Sequence, residues 1–78
     1  MALYTYDAEA DVLYVLLAEK SDPDIDRTEE VDPRIHVDLD ADGRVVGVEF
    51  LYPRQGIDVA PVNAKYGLDL HIPFNFAA

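Results

Sequence analysis

The segment Asp38-Leu39-Asp40-Ala41-Asp42-Gly43-Arg44-Val45-Val46-Gly47-Val48-Glu49 carries carboxylates at its first, third, fifth and twelfth positions and a glycine at its sixth. That is the signature of an EF-hand calcium loop, which bends between two helices so that the final glutamate closes on the same ion as the aspartates. The flanks here do not suit helices. Pro33 interrupts any entering helix, and Glu49-Phe50-Leu51-Tyr52-Pro53 is a poor exiting one. In a β-hairpin, Glu49 lies about six residues beyond the turn at roughly 3.3 Å each, on the order of 20 Å from Asp42, which ligands held at 2.3–2.6 Å from one ion cannot span. The match is therefore read as a hairpin tip. Asp38, Asp40 and Asp42 remain weak candidates for cation attraction, and a calcium- or other divalent-metal-binding domain is the alternative function.

Other chemistry is sparse. His36 and His71 are the only side chains whose ordinary pKa lies near neutrality. His36 is expected to face Glu49 across the hairpin, and His71 stands two residues from Asp69. Ion pairing on a solvated surface accounts for both, with a two-histidine metal site or an acid–base pair as the competing reading. Ser21 is the only serine and has no nucleophile elbow around it. Gly43, Gly47, Gly56 and Gly67 are isolated, so no phosphate loop is present. The five tyrosines read as half-buried packing residues. No convergent catalytic set emerges, no cofactor is implied, and a non-enzymatic protein is expected.

The elements that hold these residues are strands. Ile35, Val37 and Leu39 alternate with polar residues before Asp42-Gly43, and Val46, Val48 and Phe50 lead away from it. Asp-Gly between alternating runs predicts a two-residue turn, with Leu39 facing Val46, Val37 facing Val48 and Ile35 facing Phe50. A loop of odd length would pair Leu39 with Val45 and send the later apolar residues to the far side. Leu3-Tyr4-Thr5-Tyr6 and Val12 to Ala18 read as an earlier hairpin around Asp7-Ala8-Glu9-Ala10-Asp11. A helix is the competing reading of Val12 to Ala18, but its valine and tyrosine content favours a strand that is apolar on both faces.

Lys20 to Asp26 reads as a polar connection, and Arg27 to Val31 as a charged strand suited to a sheet edge. Ile57-Asp58-Val59 is expected to be a short extended piece, and Val62 to Tyr66 a single helical turn ended by Gly67. Leu68, Leu70, Ile72, Phe74 and Phe76 alternate with polar residues and Pro73, which predicts an amphipathic edge strand over 68–76. It either closes its own sheet or pairs with another protomer. Residues 1–78 then form a single domain of the mainly β class, a small antiparallel meander of hairpins with at most one short helical turn.

Sixteen acidic residues against six basic ones give a formal charge of −10. That sign excludes nucleic acid and anionic membranes as partners and suits a basic protein. The absence of cysteine removes disulfide and thiolate chemistry and fits a cytoplasmic setting. No apolar run approaches the length of a membrane helix, and Met-Ala-Leu-Tyr-Thr-Tyr-Asp is no export signal.

Tyr6-Asp7-Ala8-Glu9-Ala10-Asp11-Val12-Leu13-Tyr14-Val15, then Thr28-Glu29-Glu30-Val31, then Val37 to Glu49 resembles, in that order, domain-of-unknown-function family 2283. The resemblance covers about residues 4–52. It implies a small prokaryotic protein with a compact β fold and carries over no catalytic residue. The functional expectation is a self-associating interaction module, a homodimer or higher homo-oligomer that binds a basic protein in the manner of an antitoxin. Val12, Tyr14, Leu16, Leu68, Leu70, Ile72, Phe74 and Phe76 are its interface candidates.

Overall fold

Turn chemistry and two-residue alternation build the molecule as a run of hairpins. The computed structural model describes residues 2–18 and 24–76. Its strands are β1 (Leu3–Asp7), β2 (Val12–Leu16), β3 (Arg27–Asp32), β4 (Ile35–Leu39) and β5 (Val45–Leu51), followed by a 3-10 turn (Pro53–Gln55) and the helix α1 (Ala60–Tyr66). They form one antiparallel sheet in the order β1-β2-β5-β4-β3. The fold is mainly β, and the charged strand β3 lies at an edge as expected. Of the expected connection Lys20 to Asp26, residues 20–23 lie outside the described residues.

Aspartates fasten each turn. In the first hairpin Asp7 Oδ1 accepts the N–H groups of Glu9 and Ala10, at 3.0 and 3.1 Å. Asp11 closes the loop at φ 55, a left-handed conformation that aspartate tolerates. Asp32 Oδ1 accepts the Arg34 N–H across the Pro33-Arg34 turn.

The hairpin of β4 and β5 departs from the expected two-residue turn. Gly43 N–H donates to the Asp40 carbonyl, Asp40 N–H donates to the Arg44 carbonyl, and Gly43 sits at φ 81. The loop is thus Ala41-Asp42-Gly43, of odd length, and Leu39 pairs with Val45. A register shift between Asp38 and Leu39 restores the pairs Val37 with Val48 and Ile35 with Phe50. A three-residue loop with glycine in the left-handed region is the usual companion of such a bulge. The odd loop therefore does not send Val48 and Phe50 to the far side, because the bulge corrects the parity.

The core lies on one face of the sheet. Leu13 and Val15 of β2, Ile35, Val37 and Leu39 of β4, and Val48 and Phe50 of β5 are buried together with Val62 and Leu70. Burying each such side chain contributes about 1.5–3 kcal/mol. Val62 comes from α1, which begins at Ala60, earlier than the single turn expected from Val62. It ends as expected at Gly67, φ 64. Ile57-Asp58-Val59 is loop and not a strand.

The tail is also not a strand. Residues 68–76 carry no ladder pairing among the described residues and instead lie over the core face. Asn63 holds the tail like a surrogate backbone, its side chain accepting from Leu70 N–H at 2.9 Å and donating to the Leu70 carbonyl at 3.2 Å. Leu68, Ile72 and Phe76 pack against the core. Phe74 meets Tyr4 edge-on with centroids 5.2 Å apart, and Phe76 meets Tyr6 at 4.6 Å. Pro73 is accommodated because no ladder asks it for an N–H.

Candidate functional site: the uncovered sheet face

Since successive strand residues point to opposite faces, the register that buries Leu13, Val15, Val37 and Val48 also fixes what the other face shows. No described helix or strand covers that face. One row across it runs Thr5, Tyr14, Glu49, His36 and Glu30, and the next runs Leu3, Leu16, Gly47, Asp38 and Thr28. Val12 and Leu51 form a further pair beside them. The β1–β2 side carries the apolar residues Leu3, Val12 and Leu16 beside Thr5 and Asp7, whereas the β4–β3 side is acidic.

Two bonded clusters organise the acidic side. Tyr14 reaches over Gly47 and its hydroxyl donates to Asp38 Oδ2 at 2.8 Å, while the Thr28 hydroxyl donates to Asp38 Oδ1 at 2.6 Å. Burial, then the bond to Asp38, pushes the Tyr14 phenol well above its ordinary pKa. In the neighbouring row His36 lies between two glutamates, with Nδ1 3.3 Å from Glu49 and Nε2 3.4 Å from Glu30. The bond to Glu49 is the main cause that raises the His36 pKa, with Glu30 adding to it and partial burial opposing it. The expected pairing of His36 with Glu49 is present, and Glu30 joins it.

The three aspartates of the EF-hand match are divided among different tasks. Asp38 belongs to the sheet face and is held by Tyr14 and Thr28. Asp40 Oδ1 accepts the N–H groups of Asp42 and Arg44, both at 2.9 Å, and so fastens the turn. Asp42 lies at the tip, 4.0 Å from Arg44. Glu49, the twelfth position, is on the sheet with His36. No group of three or more metal-ligating side chains converges among the described residues.

The remaining candidates are widely placed. His71 is exposed, and its ring pairs with Asp69 at 3.2 Å. Val12, Tyr14 and Leu16 lie half-buried on the uncovered face. Leu70 is buried in the chain's own core, and Leu68, Ile72 and Phe76 pack against it. Phe74 alone of the tail set is largely exposed, at 50%. A cleft of about 150 Å³ opens at the end of the sheet beside Arg34, Phe50, Ile57 and Asp58, and neither histidine lines it.

Thr28, Glu30 and Gly47 belong to the face although the sequence reading gave them no such role. Their signal was available for β4 and β5, because the hairpin register that joins His36 to Glu49 also joins Asp38 to Gly47. Pairing β3 to β4 required knowledge of a second turn and a bulge.

The model of a protein family of unknown function, DUF2283, matches residues 3–52, which is β1 through β5 complete. The chain belongs to the DUF2283 family. No curated protein and no solved structure matches it. The DUF2283 match thus covers the whole sheet and its uncovered face, while the 3-10 turn, α1 and the tail lie beyond it. No described helix is long and apolar enough to cross a membrane.

Proposed function

We propose that this DUF2283 chain is a non-enzymatic, self-associating interaction module whose uncovered sheet face receives a basic protein partner. The observation that carries the reading is the division of that face. Leu3, Val12 and Leu16 supply apolar area on one side. Asp38, Glu49 and Glu30 supply negative charge on the other, where His36 bridges Glu49 and Glu30. An apolar patch rimmed by charge of one sign suits a partner of opposite sign, which is steered by the field and held by the burial. The formal charge of −10 extends that field over the molecule. A small acidic antidote to a basic toxin is one concrete form of such a module. Cytoplasmic residence goes with the reading.

The test is affinity enrichment from the source cell with wild type and with Leu16→Glu in parallel, followed by titration of the purified candidate. The expected partner is a basic protein whose binding weakens as salt rises and is lost in Leu16→Glu. Binding that is indifferent to both salt and Leu16→Glu overturns the reading.

A further inference from the structure

We propose that β1 is a self-pairing edge: two copies join antiparallel through Leu3–Asp7, centred on Thr5, into one continuous sheet. The proposal deepens the self-association half of the reading above and supplies its element and register. The two edges of the sheet differ. β3 is guarded by charge at Arg27, Glu29, Glu30 and Asp32, by a bulge between Glu30 and Asp32, and by α1, whose Tyr66 and Lys65 both reach Glu29. Those are the devices that keep an edge strand from pairing. β1 has neither a bulge nor a covering helix: Leu3-Tyr4-Thr5-Tyr6-Asp7 pairs with β2 in unbroken register and carries a single charge, at its end.

The hydrogen-bonding parity then selects the register. Leu17 N–H donates to Val46 in β5, so alternate residues Leu13 and Val15 also direct their backbone toward β5, and Val12, Tyr14 and Leu16 direct theirs toward β1. The partners of those three are Asp7, Thr5 and Leu3. The backbone N–H and C=O groups of Tyr4 and Tyr6 therefore point outward, and no backbone partner meets them among the described residues. Pairing centred on Thr5 sets Tyr4 of each copy opposite Tyr6 of the other, so both outward groups are satisfied at once. It also sets Asp7 opposite Leu3, which avoids opposing like charges in a strongly acidic protein.

The apolar surface agrees. Two of the most exposed large apolar side chains flank this edge, Leu3 at 63% on the uncovered face and Phe74 at 50% over Tyr4 on the core side. A two-fold axis normal to the sheet keeps the uncovered faces on one side, so pairing merges them into a single wider surface.

Thr5 is exposed, and the chain has no cysteine, so Thr5→Cys gives an unambiguous probe. In the proposed register the two Thr5 residues form a non-hydrogen-bonded pair with Cα atoms about 4.5 Å apart, within reach of a disulfide. Expected results are twice the chain mass in sedimentation equilibrium, a disulfide-linked dimer of Thr5→Cys under mild oxidation, no such link for the control Ala64→Cys, and at least a tenfold weaker dimer for Thr5→Lys with unchanged circular dichroism. A monomer at all concentrations up to several hundred micromolar overturns both the edge and self-association. A dimer that neither cross-links through Thr5→Cys nor weakens in Thr5→Lys overturns the edge alone.

Discussion

Tyr14 occupies the space that a side chain at Gly47 would fill. A Cβ at position 47 would overlap the Tyr14 hydroxyl and ring carbons, so the bare backbone of β5 is what lets Tyr14 cross from β2 to Asp38 on β4. Gly47→Ala should therefore cost about 1–3 kcal/mol through overpacking, and Tyr14→Phe about 1 kcal/mol through the lost hydrogen bond. In a Tyr14→Ala background most of the Gly47→Ala penalty should vanish. Urea unfolding of the double-mutant cycle checks this.

The His36 bridge makes stability depend on pH. The folded pKa of His36 lies above the unfolded value near 6.5, chiefly through Glu49, so its stabilisation is complete below about pH 6.5 and is lost as pH rises through the folded pKa. The pairs are partly exposed, and the effect should stay below about 1 kcal/mol. Proton NMR of the imidazole should show a raised midpoint in wild type, a large fall toward the ordinary value in Glu49→Gln, and a smaller one in Glu30→Gln.

Tyr66 and Glu29 join α1 to β3 through a bond of 2.5 Å. Burial, then the bond to Glu29, pushes the Tyr66 phenol up to about 12, and the same bond is the main cause that lowers the Glu29 carboxyl. Because the folded pKa of Glu29 is depressed, its contribution is present above its ordinary value of 4.5 and disappears as pH falls through the folded one. Tyr66→Phe should raise the Glu29 midpoint in carbon-13 NMR, and Glu29→Gln should lower the Tyr66 transition in ultraviolet titration.

Leu70 is 7% exposed and belongs to the same core as Leu13 and Phe50. Leu70→Ala should cost about 2–5 kcal/mol, a large share of what a domain of this size holds. Phe74→Ala, at an exposed site, should cost much less. Thermal melts of the two variants rank them, and equal effects would deny the tail its place over the core.

At the hairpin tip Asp40 fastens two N–H groups and Gly43 holds φ 81. Asp40→Ala and Gly43→Ala should each cost about 1 kcal/mol. Calcium and magnesium should both give small, linear amide shifts at Gly43. A saturable shift with calcium alone would restore the cation reading of Asp38, Asp40 and Asp42.

Much of the sheet was legible because its causes are local. Alternating apolar residues and aspartate-rich turns placed the hairpins, and the facing of His36 with Glu49 followed from parity. The turn at Gly43 was misread by one residue and the strand pairing survived, since the bulge after Val45 compensates for the odd loop. Local pattern constrains which face is buried more tightly than it constrains the turn, because burying Val48 and Phe50 outweighs the preference between two glycine turns.

The tail shows the opposite case. Alternation over 68–76 is compatible with a strand, and only tertiary structure decided that the segment lies over the core, where Asn63 replaces a ladder partner and Leu70 fills the space between α1 and the sheet. The acidic face was likewise a tertiary outcome. Tyr14, Thr28 and Asp38 are far apart in the chain, and no periodicity announces their meeting. By itself the sequence determined the five strands of the sheet, their apolar sides and the sign of the charge, since these depend on neighbours within a few residues. The order β1-β2-β5-β4-β3, the placing of the tail and the convergence on Asp38 required distant segments to compete for the same buried surface, and that competition is settled only in the folded chain.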